Sequence, residues 1–291
     1  MKRLLICLVI IFAQIAVLTA QPEPDNEKIN TTTAAEQGDA EAQFRMGKNY
    51  YYGIGVEQDN YEAVRWYKLA AEQGHADAQY NLGSCYDFGE GVEENFLEAV
   101  KWYKRSAEQG NSSAQNELGL CYEYGTGVIQ DYDEAFKWYK LAADQGDALA
   151  QGNLGYCYEY GIGVAIDFAE AVKYYKLAAY MGIASAQLNY GLCFEYATGV
   201  DQDYTEAFKW YKLSAEQGND TARYNLACFY AVGNGVDRDY LEAFKWYSIV
   251  SYTTSGDLFE DAVYNMDLIR DKLTPSQIEQ AGIDAHEILG W

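Results

Sequence analysis

Apolar side chains recur along the chain at offsets of three, four and seven. Ala63, Trp66, Tyr67 and Ala70 form one such set, matched further on by Ala99, Trp102, Tyr103 and Ser106. That spacing lines them along one stripe of an α-helix, here helix B. An earlier set, Ala42, Met46, Asn49 and Tyr50, returns as Ala78, Leu82, Cys85 and Tyr86 and marks helix A. Between the two lie Gly53, Gly55 and Val56, repeated as Gly89-Glu90-Gly91-Val92 and Gly125-Thr126-Gly127-Val128. This reads as a tight reversal, so A (roughly 39–52) and B (roughly 60–73) are predicted to be antiparallel neighbours.

Gly38, Gly74, Gly110, Gly146, Gly182 and Gly218 stand 36 residues apart, so the hairpin recurs in register across 39–74, 75–110, 111–146, 147–182, 183–218 and 219–254. Asp59, Asn95, Asp131, Asp167, Asp203 and Asp239 open helix B, each followed three residues later by a glutamate. The pattern predicts a capping box, the glutamate returning to the cap's own N–H. Gly74 and its counterparts close the helix by taking positive φ. Gly47, Gly83, Gly119, Gly155 and Gly191 fall inside helix A, where glycine costs about 1 kcal/mol relative to alanine. They predict close approach of A and B beside Ala63 and its equivalents, with Trp66 and Tyr50 filling the space alongside.

One hairpin cannot bury both its faces, so each must lean on the next. The expected fold is all-α, a solenoid of stacked antiparallel helix pairs. Residues 21–38 read as a linker and N-terminal capping segment, since Ala34-Ala35-Glu36-Gln37-Gly38 matches the close of a helix B. Residues 255–291 read as a degenerate repeat and a capping helix begun by Thr274-Pro275-Ser276-Gln277. Tyr174 in place of tryptophan, Tyr180-Met181 in place of Glu-Gln, Ala197 in place of a loop glycine and Ala227 in place of the mid-helix glycine depart from the pattern. They predict an irregular junction between copies four and five.

Lys2 and Arg3 precede an apolar stretch from Leu4 to Leu18, interrupted by Gln14, with Ala20 before Gln21. This is a signal-peptide profile over 1–20, with export to the periplasm or the extracellular space as the expected consequence. An uncleaved anchor is the rival, although a run of about 15 to 18 residues is marginal for spanning a bilayer. The formal net charge of -23 argues against nucleic acid and against anionic lipid, both of which select a positive surface. Aromatic residues at 15%, recurring at fixed spacing, mark an ordered chain despite that charge.

Gly-x-Gly-Val after a helix, Trp-Tyr-Lys-x-Ala-Ala-Glu-Gln-Gly, and Ala-Gln-Tyr-Asn-Leu-Gly at 78–83 closely resemble the Sel-1-like repeat family. The resemblance covers about residues 34 to 290 and implies a right-handed, tetratricopeptide-like superhelix with helix A on its concave side. It also implies adaptor or scaffold roles in assembling protein complexes. Exported bacterial members are linked to contacts between microbes and host cells.

Comparing the six copies separates positions held constant from positions left free. The free ones lie on one face of helix A. They are Glu41, Phe44, Lys48 and Tyr51, then Asp77, Tyr80, Ser84 and Asp87, then Asn116, Leu120 and Glu123. The row continues with Leu149, Tyr156 and Glu159, then Leu188, Leu192 and Glu195, and ends with Tyr224. In tetratricopeptide-like relatives this face forms the ligand groove. These residues are therefore expected to bind another protein, as an extended or helical peptide of basic character drawn to Glu123, Glu159 and Glu195. Tyr52, Phe88, Tyr124, Tyr160 and Tyr196 are aromatic in five copies, and that uniformity predicts packing ahead of a groove edge.

Cys85, Cys121, Cys157 and Cys193 share one register, so neighbours should lie a helix spacing apart, roughly 8 to 10 Å or more. That exceeds disulfide reach, and no disulfide ladder is expected. With only His75 and His286 available, no metal or cofactor is expected. No serine, cysteine or histidine arrangement stands apart from its repeated equivalents, so the chain reads as a non-enzymatic monomeric binding protein. Some cysteine-rich relatives are described as β-lactam-binding or β-lactamase proteins, which makes that the alternative, although the class A motif set is missing. A purely structural periplasmic scaffold is the third reading.

Overall fold

The computed structural model describes residues 25–291, so the expected leader at 1–20 lies outside the described residues. The chain divides into two units that meet in sequence at Gln145 and Gly146. The first contains α1 (Asp25–Glu36), α2 (Ala40–Tyr52), α3 (Asn60–Glu72), α4 (Ala76–Phe88), α5 (Phe96–Glu108), α6 (Ser112–Tyr124) and α7 (Tyr132–Asp144). The second contains α8 (Ala148–Tyr160), α9 (Phe168–Tyr180), α10 (Ala184–Tyr196), α11 (Tyr204–Glu216), α12 (Asp220–Val232), α13 (Tyr240–Thr253), α14 (Asp257–Arg270) and α15 (Pro275–Leu289). Among the described residues there is no strand. In the first unit α2/α3, α4/α5 and α6/α7 are hairpins, and α3 touches α4 as α5 touches α6. The second unit repeats this with α8/α9, α10/α11 and α12/α13, after which α14 and α15 both pack on α13.

Every helix B starts as its aspartate or asparagine suggests, with the Asp59 carboxylate accepting from the N–H groups of Tyr61 and Glu62. The second half of the expected capping box is replaced. The Asp59 N–H donates instead to the Tyr50 carbonyl of helix A at 2.9 Å, and the Asn95 and Asp131 N–H groups repeat the bond to Tyr86 and Tyr122. With that donor satisfied, the glutamate turns to the basic residue three positions on. Glu62–Arg65, Glu98–Lys101 and Glu170–Lys173 close at 3.0, 2.8 and 2.8 Å. The full reciprocal box is found at α15, between Thr274 and Gln277.

Tyrosine and tryptophan divide the packing between them. A Cβ added at Gly83 or Gly119 would come within 2.7 or 2.6 Å of the ring of Tyr103 or Tyr139 in the same hairpin. The mid-helix glycine therefore makes room for the tyrosine of helix B, while Trp66 and Tyr50 pack together in a neighbouring cluster with Ala42 and Met46. Tryptophan joins neighbouring copies: Trp102 is buried with Ala63, Tyr67 and Ala70 of the preceding helix B and with Leu82 and Cys85.

Glutamines add a polar seam through this interior. Gln79 donates to the Ala71 carbonyl at 2.9 Å and accepts from Gln109 at 2.6 Å. Gln43 with Gln73, Gln115 with Gln145 and Gln187 with Gln217 repeat the side-chain bridge at 2.7 Å.

The predicted irregularity between copies four and five does not disturb the backbone. The Ile183 N–H still reaches the Ala178 carbonyl at 3.1 Å, as its equivalents do elsewhere. Changes are confined to side chains and one dihedral. Ile183 provides no cap to α10, and Ala197 holds the left-handed conformation at φ 56° that glycine supplies in the other copies. For an L-residue that conformation costs roughly 1 kcal/mol.

Candidate functional site

The variable face of helix A separates, in three dimensions, into residues that join parts of the fold and residues that face outward. Glu41 lies 3.0 Å from Nε2 of His75, and Asp77 accepts from Asn111 at 2.7 Å, so both tie one helix A to the cap of the next. The Tyr51 hydroxyl donates to Glu90 in the A–B loop of the next copy. Asp87, Glu123, Glu159 and Glu195 each accept from the buried tyrosine of their own hairpin. The donors are Tyr103 at 3.3 Å, Tyr139 at 2.7 Å, Tyr175 at 2.6 Å and Tyr211. Burial, and next the bond to Glu159, push the Tyr175 phenol far above its ordinary range, so it stays a donor at any physiological pH. The carboxylates are thereby held in one orientation.

Glu123 and Asn116 are buried, which removes them from any open surface. Phe44, Tyr80, Ser84, Leu120, Leu149, Leu188, Leu192 and Tyr224 are half-buried, as are Glu159 and Glu195, while Lys48 and Tyr156 are exposed. The Phe44 ring lies against His75 with centroids 4.6 Å apart, and Lys48 Nζ sits 5.6 Å from that ring. Tyr224 stacks edge-on to Tyr247 and accepts from Asn265 at 2.9 Å. Unit one thus carries a mixed aromatic and acidic row on α2, α4 and α6. Unit two carries its own on α8, α10 and α12.

Two sets of residues take roles other than those the sequence predicts. The carboxylates at 87, 123, 159 and 195 lie on the face expected to be free, yet their occurrence in four consecutive copies is the signal of a packing role. Conversely, Tyr124, Tyr160 and Tyr196, expected to pack, are all exposed, whereas Tyr52 and Phe88 are half-buried. Cys85, Cys121, Cys157 and Cys193 are buried free thiols, and Cys228 is a half-buried one. Burial pushes the Cys85 and Cys193 thiols up to about 12. Among the described residues no group of His, Cys, Asp or Glu is placed to hold a metal ion, and no helix is long and apolar enough to cross a membrane.

Stacked helix hairpins with constant interiors and a varied helix A face define a tandem-repeat protein of the α-solenoid class. The Sel1 repeat model matches residues 40–75, 76–111, 112–147, 148–183, 184–219 and 221–249, and the chain belongs to that family. It is similar to a Sel1 repeat protein from Oxalobacter formigenes, at 37% identity over 76% of this chain and 87% of that one, with a TM-score of 0.69. It is also similar to c5321, a protective antigen of uropathogenic Escherichia coli with the SLR fold, at 29% identity and a TM-score of 0.62. That match covers 89% of this chain and 63% of the other. No curated protein matches the chain. Sel1 repeat proteins are generally protein-interaction scaffolds.

Proposed function

We infer that the chain is an exported adaptor that binds a basic segment of another protein along the outward row of helix A. The observation that carries this reading is the set of carboxylates Asp87, Glu159 and Glu195, each oriented by a buried tyrosine hydroxyl. Half-buried Tyr80 lies beside Asp87 on the row of unit one, and exposed Tyr156 and half-buried Leu188 lie with Glu159 and Glu195 on that of unit two. Acceptors already fixed in place lose little freedom when they meet an arginine or lysine, and the aromatic surface beside them accepts the apolar stem of such a side chain. The net charge of -23 adds long-range attraction for a cationic partner. The leader profile at 1–20 and the E. coli relative's description as a protective antigen support a location outside the cytoplasm.

The test is binding of fluorescent Lys/Arg-rich peptides to the purified chain, against acidic peptides of equal length. Basic peptides should bind, more weakly as salt rises. Replacing Tyr80, Tyr156 and Leu188 together with serine should reduce affinity by roughly tenfold or more. Equal binding of both peptide classes, or unchanged affinity in the triple variant, removes this face as the binding site.

A further inference from the structure

The fourth copy combines three large exposed apolar side chains at the end of its helix B. At the end of α9, Tyr180 and Met181 stand where copies one, two, three and five have Glu72, Glu108, Asp144 and Glu216 followed by glutamine, and where copy six has Tyr252-Thr253. Both are 66% exposed, and Leu177, one turn earlier on the same face, is exposed as well. Leu213 is the exposed equivalent of Leu177 on α11. The change forgoes the glutamine bridge made by Gln73, Gln109, Gln145 and Gln217, and it places large apolar groups in water. It also alters the charge. Lys140 pairs with Asp144 at 3.1 Å, whereas Lys176, its equivalent, has Tyr180 four residues on. The result is an apolar patch flanked by a cation.

A complementary face exists on the same unit. Helix α14 buries Ala262 and Ile269 against the core, with Leu258 and Met266 packed beside them. Its other side exposes Tyr264 at 64% and Leu268 at 58%, with Phe259 and Val263 less so. Glu260 and Asp261, both exposed, lie one turn before them. This is an apolar stripe edged by carboxylates, opposite in charge to the Lys176 patch.

We propose that these two faces bind each other between copies of the chain, with Tyr264 and Leu268 of one molecule on Leu177, Tyr180 and Met181 of the next. Lys176 meets Glu260 or Asp261. The two surfaces differ, so the contact is heterologous, and each molecule retains one free face for a further copy. The chain is then a self-associating scaffold and not the monomer expected from its sequence. This contact is separate from the helix A row, so either can fail while the other stands.

The test is sedimentation velocity and light scattering of the full chain over a wide concentration range. Average mass should climb past the monomer. The double variant Tyr180→Glu/Met181→Gln, which installs residues that other copies carry, should weaken association by roughly tenfold or more, as should Tyr264→Ser/Leu268→Ser. An equimolar mixture of the two variants should recover a dimer that grows no further, because each supplies the face the other lacks. Unchanged helical circular dichroism establishes that the variants are folded, and Leu268→Lys alone repeats the test on α14 if the double variant is not. A parent that stays monomeric, variants that associate as the parent does, or a mixture that stays monomeric each overturns the proposal.

Discussion

Copies three and six perform the same packing in different ways. In copy three, Gly119 leaves space for Tyr139, whose hydroxyl donates to buried Glu123 at 2.7 Å. In copy six, Ala227 stands at the glycine position and Ala231 at the acid position, and the Tyr247 hydroxyl turns to Cys228 Sγ at 3.2 Å. Both tyrosines remain buried. Glycine, carboxylate and tyrosine occur together in copies two to five, whereas copy one keeps Gly47 and Tyr67 with Tyr51 at the acid position. Where the glycine gains a methyl group the acid is gone too, and the phenol finds a different acceptor.

The largest effect that would break this comparison is steric. Gly119→Val should destabilise by about 3 kcal/mol, since its Cβ falls within 2.6 Å of the Tyr139 ring and overpacking a closed core is costly. Ala227→Gly should cost only about 1 kcal/mol, the helix propensity difference. Urea midpoints of the two variants check the ranking, and equal losses would show that the glycine is not making room for the ring.

Removing the hydroxyl separates the copies next. Tyr139→Phe should cost about 2 kcal/mol, because Glu123 is 6% exposed and would lose a hydrogen-bond donor in a buried setting. Tyr247→Phe should cost less than about 0.5 kcal/mol, because sulfur is a weak acceptor. A double-mutant cycle of Tyr139→Phe with Glu123→Gln measures the coupling directly. Additive losses would remove the tyrosine–carboxylate bond from the account.

The smallest effect is in the thiols. Cys121 is buried in register, and burial raises its pKa; Cys228, shifted by one position, is half-buried and also raised by burial. Thiol-reactive labelling of the native chain at mildly alkaline pH should therefore modify Cys228 before Cys121, as mass spectrometry of the peptides will show. A thiol pKa raised on folding favours the folded state below its unfolded value and loses that contribution as pH climbs towards the folded value. With Cys85 and Cys193 pushed up to about 12, the urea midpoint should fall as pH rises from about 9 towards 12.

Helix limits were legible to within a residue. Helix A was expected over about 39–52 and is Ala40–Tyr52; helix B was expected over about 60–73 and is Asn60–Glu72. The signals that set them, Asp59 before the helix and Gly74 after it, act within one turn of the residues they control. The candidate site was legible as a row of positions, but not in what each position does. Glu123 and Glu159 looked like free charge because their partners, Tyr139 and Tyr175, lie 16 residues away on another helix. Tyr124, Tyr160 and Tyr196 looked like packing because they were uniform, yet they face water.

What the amino-acid order determined alone is the hairpin and its recurrence: caps, turns and apolar stripes are local instructions, effective wherever the segment sits. Tertiary structure alone decided the partners. Helix B's glutamates lost the cap N–H to a carbonyl on helix A. The glycines of helix A came to face the rings of tyrosines on helix B, and the Gln79–Gln109 bridge closed across 30 residues. Such choices depend on how near two helices approach and at what angle. That distance is set jointly by every side chain in the contact, and no single segment encodes it.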